Sequence, residues 1–354
     1  MKTAHRAGLI AVVMILAATL GGCRRGADDG QANTPGDGPE VVVELEPRTI
    51  PVFCYHKMSA ESTSTYEVET ADFTDQLAAM SEAGFETVTP SQIADYLDGK
   101  GELPDKPVCI TFDDGPRSVL TVSKPLMDKH SYVGAAFLIA GSVGGQGNLD
   151  WDDVAELEEA GWEIGSHTVS HIHPTRVSAD KCAEEFENSR ETIREHIEGD
   201  CIAIAYPYGL YDDETLGIAH DAGYRIGFTI DRGPADQSDK PLLTPREMLV
   251  DGNSMRTFRR WLGQEKIHLE DLDPPVGERF DTREPTITAR LTDDIPAGDI
   301  EFTVAGKLVD VSVGEDGSSL TLKPKLAAGA NIIRANYWGG TQRELSWVVI
   351  CDAD

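Results

Sequence analysis

From residue 50 onward, short apolar runs alternate with segments whose apolar residues recur at helical spacing. Residues 50–55 predict a strand; Phe73, Leu77 and Met80 then repeat four and three apart, and Gly84 stands where a helix C-cap falls. Residues 107–112 predict the next strand, 119–129 a helix, 133–139 a strand and 152–160 a helix. Residues 163–165 lead into a histidine-bearing segment. A helix over 179–196 precedes a strand over 203–206, and a helix over 212–222, closed by Gly223, precedes 225–230. Repeated β-then-α units imply a parallel sheet covered by helices, open or closed into a barrel. In either architecture reactive side chains gather at the C-terminal ends of strands.

The pattern changes after about residue 283. Residues 286–291, 299–304, 307–313, 319–322, 331–337 and 345–350 read as short strands, separated by turn signals such as Glu315-Asp316-Gly317. A stretch of this kind over 283–354 suits a small all-β, Ig-like sandwich following an α/β domain at 48–265. At the other end, Lys2 and Arg6 precede an apolar run, residues 9–20, that is too short to span a membrane. The run ends in Leu20-Gly21-Gly22-Cys23, which resembles a bacterial lipobox. The expectation is a signal peptide over 1–22, lipid on Cys23 and a flexible tether over 23–47, with the protein held on a membrane in the cell envelope. A plain secretory signal with an incidental cysteine is the alternative. Either reading takes the chain out of the cytoplasm.

Charge and cysteines narrow the picture further. A formal net charge of −30 over 354 residues excludes nucleic acid as a partner, since phosphate binding requires clustered Lys and Arg. An acidic surface tolerates neutral sugars and attracts amine-bearing ones, and serves equally as a solubilising surface. Cys54 and Cys109 lie in strand-like apolar runs and read as buried thiols; Cys182 and Cys201 flank a helix-length segment and are open to pairing.

Two clusters carry the chemistry: Thr111-Phe112-Asp113-Asp114-Gly115 and Ser166-His167-Thr168-Val169-Ser170-His171. One carboxylate and two imidazoles can hold a divalent cation with a position left open, while the second carboxylate stays free to accept a proton. Each cluster alone is weak: acidic pairs are common on solvated turns, and an H-x-x-x-H pair often has no ligand role. Together, at strand ends of one α/β domain, they favour a metal site in a hydrolase.

On these motifs residues 52–262 resemble the polysaccharide deacetylases of carbohydrate esterase family 4, the NodB-homology group. The resemblance implies a distorted (β/α) barrel and hydrolysis of acetyl groups on polysaccharide with a divalent metal, usually zinc; cobalt and nickel suit the same donors. It implies Asp113 as the catalytic base and Asp114, His167 and His171 as metal ligands. The family's third motif matches Pro207, Tyr208 and Gly209, implying a substrate-binding segment in which the Tyr208 backbone N–H helps polarise the acetyl carbonyl. Two departures stand out. Many members carry an arginine where this chain has Ala205, and the Leu-x-His of the fifth motif is absent after residue 230; His268 lies in a different setting. Tyr55-His56, Tyr206 and Pro245-Arg246 together resemble a branch of extracellular poly-N-acetylglucosamine deacetylases. On that resemblance Arg246 is expected to take the missing arginine's place beside Asp113.

His56, at the end of the first strand, reads as a substrate contact or proton relay, or equally as a buried structural histidine. His173 reads as loop structure rather than a third ligand, Trp151 and Trp162 as packing, although aromatic faces also suit sugar rings, and Asp231 as a turn residue, with orienting a neighbour near the site as the alternative. The chain is therefore expected to remove N-acetyl groups from an N-acetylglucosamine polymer. An O-acetyl esterase on xylan-like polymers and a non-catalytic glycan-binding envelope protein are the rivals.

Overall fold

The computed structural model describes residues 48–353. The signal segment, Cys23 and the tether expected over 1–47 lie outside the described residues. Strands β1 (Val52–Tyr55), β2 (Pro107–Phe112), β3 (Ala135–Leu138), β4 (Glu163–Ser166), β5 (Ala203–Ala205) and β6 (Ile226–Phe228) are successive parallel neighbours in one sheet. Strand β7 (Glu247–Met248) pairs with the other side of β1, and Phe228 of β6 bridges Thr244 in the same parallel sense. Residues 244–248 thus connect the last strand to the first.

Helices Thr70–Glu82, Pro90–Leu97, Trp151–Glu159, Ala179–Arg194 and Asp213–Asp221 run between the strands. Local chemistry sets several of their starts: Thr89, Asp150, Ser178 and Asp212 each accept from the backbone N–H three residues on. The helix expected over 119–129 is instead a π turn (Val119–Ser123), a short α turn (Lys124–Met127) and a 3-10 turn (Asp128–His130). Pro125 accounts for the break, because it has no N–H to donate and its ring crowds the carbonyl four residues back.

Strand parity sorts the core. Phe53, Tyr55, Val108, Ile110, Phe112, Ala136, Leu138, Ile164 and Ile204 pack with the helix residues Phe73, Leu77, Val154, Leu157 and Phe186. Residues of opposite parity, Val52, Cys109, Ala135, Phe137, Ala203, Ala205, Ile226 and Phe228, form a separate cluster. Because side chains alternate faces with period two, Cys54 and His56 continue the row of Val52, Thr111 and Asp113 the row of Cys109, and His167 that of Gly165. The parity that buries the second cluster therefore also delivers the polar residues to one place.

The C-terminal strands begin at Glu265, not near 283. Glu265–Lys266, Arg343–Cys351, Gly329–Tyr337, Ile300–Val304 and Lys307–Leu308 form one sheet, with Arg279–Phe280 also beside Arg343–Cys351. Leu269–Asp273, Ile287–Leu291, Ser319–Lys323 and Asp310–Val313 form another. The single strand expected over 307–313 breaks at Val309 and is shared between the two sheets. Ile287, Leu291, Leu320 and Leu322 of the second sheet meet Phe302, Val304, Ile333, Trp347 and Val349 of the first in one apolar cluster.

Val348 and Ile350, of the other parity, join the cluster beneath the helices of the parallel sheet. Strand Arg343–Cys351 is thus buried on both faces and ties the C-terminal sheets to the α/β part. Tyr211 Oη accepts from the Val348 N–H (3.2 Å), and Arg232 N–H donates to Ser346 Oγ (2.7 Å) across the same seam. Cys54, Cys109, Cys182, Cys201 and Cys351 are all free and buried, so the pairing open to Cys182 and Cys201 is not made. Among the described residues no helix is long and apolar enough to cross a membrane.

Candidate metal centre and catalytic carboxylate

Asp113 and Asp114 follow the end of β2 directly, and Asp114 takes a left-handed backbone (φ 70°). Asp113 is buried and points among the strands, while Asp114 turns toward the loop after β4. There His167 Nε2 lies 3.6 Å and His171 Nε2 3.7 Å from Asp114 Oδ1. The three ligating atoms all lie within 4.8 Å of one another.

Several bonds hold this arrangement. His167 Nδ1 is 2.7 Å from the Ala205 carbonyl oxygen, so the ring donates from Nδ1 and presents Nε2 as an acceptor toward Asp114. Burial lowers the His167 pKa, against the opposing pull of Asp113 and Asp114, which favours the neutral imidazole a metal requires. Thr168 and His171 both have positive φ (65° and 55°), and Thr168 Oγ1 accepts from the His171 N–H (3.0 Å). Glu185 braces the loop from below, accepting from the N–H groups of Val169 (3.0 Å) and Ser170 (2.8 Å) and from Ser170 Oγ (2.7 Å). With Asp114 and His171 of the triad itself, and Thr168 and Tyr208 (φ 61°) beside it, four non-glycine residues take left-handed conformation here, backbone strain of the kind that gathers at functional sites.

Asp113 is held differently. Arg246, 1% exposed, donates from Nη1 to Asp113 Oδ1 (2.7 Å) and from Nη2 to Oδ2 (2.8 Å). Two further donors, on Nη1 and Nε, reach Thr111 Oγ1 (3.0 Å) and the Thr229 carbonyl (2.9 Å), and its guanidinium lies over the adjoining rings of Phe137 and Phe228, 5.7 Å from each. Arg246 thus reaches Asp113 from residues 244–248. Burial by itself would push the Asp113 carboxyl up. Arg246, with His167 and His56 behind it, outweighs that and holds it well below the usual carboxylate range. The Cys54 thiol donates to Asp113 Oδ2 at 3.3 Å. A carboxylate has about four lone-pair directions, so the fork and the thiol leave one for a water proton.

Cys54 and Glu185 are site residues that sequence reasoning missed. Glu185 had a signal: it falls in the buried stripe Cys182, Glu185, Phe186, Ser189, Ile193, where a carboxylate needs partners. Cys54 had none beyond its strand parity.

His56 joins the site from β1, its ring nitrogen within 4.8 Å of ligating atoms of both Cys54 and Asp113. Its Nδ1 is buried without a hydrogen-bond partner among the described residues. Pro207, Tyr208 and Gly209 form a 3-10 turn after β5. A Cβ on Gly209 would lie 2.2 Å from Ile230 Cγ1, so the close approach of this turn to the β6 segment requires glycine there. The Tyr208 ring meets His171 at 4.6 Å and stacks on His173 at 3.8 Å. Trp151 and Trp162 pack against His196 and Phe112, away from the triad. His268 is bound between Asp236 (2.7 Å) and Asp293 (2.9 Å) at the seam with the C-terminal sheets, which raises its pKa to about 9.

Asp231 does more than form a turn. Its carbonyl accepts from the Arg246 N–H (3.0 Å) and its Oδ2 from Tyr211 Oη (2.7 Å), while Oδ1 is buried without a partner among the described residues. Burial pushes its carboxyl up to about 7, against bonds from Tyr211 and Thr229 that lower it. The unfolded value is about 3.9, so the folded protein holds the extra proton between about pH 4 and 7 and loses that stabilisation as pH rises through the window. Asp231→Asn is therefore expected to gain stability relative to the parent as pH rises from 4 to 7. Urea unfolding across that range checks this, and a pH-independent difference would contradict it.

A divalent cation fits the triad. Asp114 Oδ1 is a buried oxygen with no hydrogen-bond partner among the described residues, and two imidazoles face it at distances too long for hydrogen bonds. One carboxylate and two histidines are the donor set of an open metal site.

The fold and site agree with the family comparison: residues 100–227 match the model of the polysaccharide deacetylase family. The chain is 25% identical over 225 residues to a poly-β-1,6-N-acetyl-D-glucosamine N-deacetylase of Staphylococcus aureus (strain MRSA252), covering 60% of this chain and 77% of that protein. Among solved structures, IcaB from Ammonifex degensii shares 28% identity at a TM-score of 0.55, covering 62% of this chain and 99% of that one. The Streptococcus pyogenes deacetylase PplD, in complex with acetate, shares 26% identity at a TM-score of 0.58, covering 61% and 99%.

Proposed function

We propose that this protein is a metal-dependent hydrolase that removes N-acetyl groups from N-acetylglucosamine-containing polysaccharide. The observation that carries the reading is the Arg246-clamped carboxylate of Asp113 directly beside the Asp114, His167 and His171 triad. The S. aureus relative's name supplies the substrate class. Asp114, His167 and His171 would hold the cation, zinc by default with cobalt or nickel as alternatives. When bound it supplies Lewis acidity at the acyl oxygen and makes water a usable nucleophile near neutral pH.

The chain's own residues do the rest. Asp113 accepts the proton of the attacking water, and Arg246 keeps the carboxylate ionised and aimed. The Tyr208 backbone N–H donates to the developing oxyanion. The C–N bond then breaks as His56 relays the proton taken up by Asp113 to the departing amine, and acetate leaves. In this reading residues 48–265 are the distorted barrel of the NodB-homology type, and the C-terminal sheets an Ig-like sandwich braced against it. Lipid on Cys23 holds the enzyme on a membrane of the cell envelope.

Acetate release tests the proposal. Purified protein is expected to release acetate from β-1,6-linked N-acetylglucosamine oligomers, to stop with chelator, and to resume when zinc, cobalt or nickel is restored. Release from acetylated xylan alone would reassign it as an O-acetyl esterase. Glycan binding without release in any metal would make it a non-catalytic binding protein.

A further inference from the structure

The chain carries a formal net charge of −30, yet its helix Met255–Gly263 turns arginines outward. Phe258 and Trp261 are buried, Phe258 against the ring of Phe53 at 4.8 Å, so one face of the helix is fixed to the α/β part. Arg256 and Arg259 are exposed on the other face, with Arg260 half-buried beside them, three and four residues apart. None of the three forms an ion pair among the described residues, whereas Arg48, Arg225, Arg279, Arg290 and Arg343 all do. The Arg260 guanidinium lies over the rings of Trp261 (5.9 Å) and Trp338 (5.8 Å). Trp338 is 58% exposed, between the paired strands Gly329–Tyr337 and Arg343–Cys351. An exposed indole beside unpaired arginines is the composition of a surface that settles at a membrane–water interface, the ring among headgroups and the cations on phosphate.

The same face continues to where the described chain begins. Arg259 and Leu262 border a hollow together with Arg48, Pro51 and Lys106. Arg48 and Pro51 precede β1, Lys106 precedes β2, and the two strands are parallel, so the hollow lies at their N-terminal ends. Asp114 and His167 follow the C-terminal ends of β2 and β4, which puts about one strand length, ~20 Å, between this face and the triad. The carboxylates of the hollow, Asp105 and Glu265, are already paired with Arg48 (3.0 Å) and Arg343 (2.7 Å), and Lys106 Nζ donates to the Ala83 carbonyl (2.8 Å). The free charge here is therefore positive. At physiological salt, exposed charges more than about 8 Å away are largely screened, so this local excess outweighs the negative total of the chain.

We propose that helix Met255–Gly263, Lys106 and Trp338 form a face that rests on an anionic phospholipid surface, with the triad held at the far end of the strands, away from the membrane. Charge complementarity selects the occupant. The course of the chain agrees with it: residues 24–47 separate Cys23, the proposed lipid site, from Arg48, and such a segment spans no more than ~90 Å. The lipid and the basic face then serve one membrane, the first as tether and the second as orientation. This docking lies outside the reaction proposed above and needs no turnover.

The test uses the full chain carrying Cys23→Ser, which removes the acylation site, sedimented with phosphatidylglycerol or phosphatidylcholine vesicles. Tighter binding to phosphatidylglycerol is expected at about 0.1 M salt, with the preference lost near 1 M, where the screening length falls to about 3 Å. Each arginine at an anionic surface contributes roughly fivefold, so adding Arg256→Gln and Arg259→Gln should weaken phosphatidylglycerol binding about 25-fold and leave phosphatidylcholine binding unchanged. Urea midpoints equal to the parent's show that the double variant is folded. Equal phosphatidylglycerol binding with and without the two arginines overturns the proposal, as does a parent that shows no preference for those vesicles. Self-association of the parent that the double variant abolishes assigns the face to a second copy of the chain and overturns it as well. Vesicle binding is read without acetate release, so failure here leaves the deacetylase reading intact, and absence of acetate release leaves the docking face intact.

Discussion

Replacing Arg246 with methionine is expected to lower stability by about 3–5 kcal/mol, the usual cost of leaving one buried charge without its partner. Asp113 is 3% exposed and receives both guanidinium Nη groups, so no solvent takes over when the fork is removed. Acetate release is expected to fall by about 10²–10⁴-fold, because burial then dominates and the carboxyl tends to stay protonated when it should accept a proton. The pH dependence has a definite sign. With Arg246 present the folded carboxyl titrates below its unfolded value of about 3.9, so the stabilisation is present above that pH and is lost on acidification. The stability gap between parent and variant should therefore be widest above about pH 5 and narrow toward pH 2. Urea unfolding across that range with parallel acetate assays measures both effects. Turnover equal to the parent's would remove Arg246 from the mechanism; Arg246→Lys, which keeps the charge but loses the fork, should fall between the two.

Asp113→Asn and His167→Ala are expected to fail in different ways. The amide of the first variant keeps the volume but cannot accept the water proton, so acetate release should drop by about 10²–10⁴-fold with the metal retained. His167→Ala removes a 2%-exposed proposed ligand whose Nδ1 is anchored on the Ala205 carbonyl, so metal and activity should be lost together. Metal analysis paired with acetate release distinguishes them. Two variants alike in metal content and in activity would refute the separate roles given to base and ligand.

Much of the α/β part was legible because local periodicity and burial coincide there. Residues 107–112 were expected as a strand and are one, and 203–206 differs by a single residue. The helix over 179–196 ends two residues early, at Arg194. The segment 119–129 misled because its apolar spacing is helical while Pro125 denies it a continuous ladder. The start of the C-terminal sheets was missed because Glu265–Lys266 and Arg279–Phe280 are two residues long and pair with Arg343–Cys351, while Leu269–Asp273 (LEDLD) carries three acidic residues and lacks an alternating apolar pattern. Such short pieces carry no pattern of their own.

The sequence by itself carried the pattern behind the proposed triad and base. Asp113 and Asp114 are neighbours in the chain, and His167 and His171 share one loop, so their spacing already limits where each can point. Only the tertiary structure decided how that base is held. Arg246 stands 133 positions beyond Asp113 and reaches it because residues 244–248 run between β6 and β1. Cys54 and Glu185 likewise became part of the site through strand parity and helix docking. The physical reason is that periodicity reports which face of an element is buried. Which faces meet depends on strand order and closure, a property of the whole folded chain.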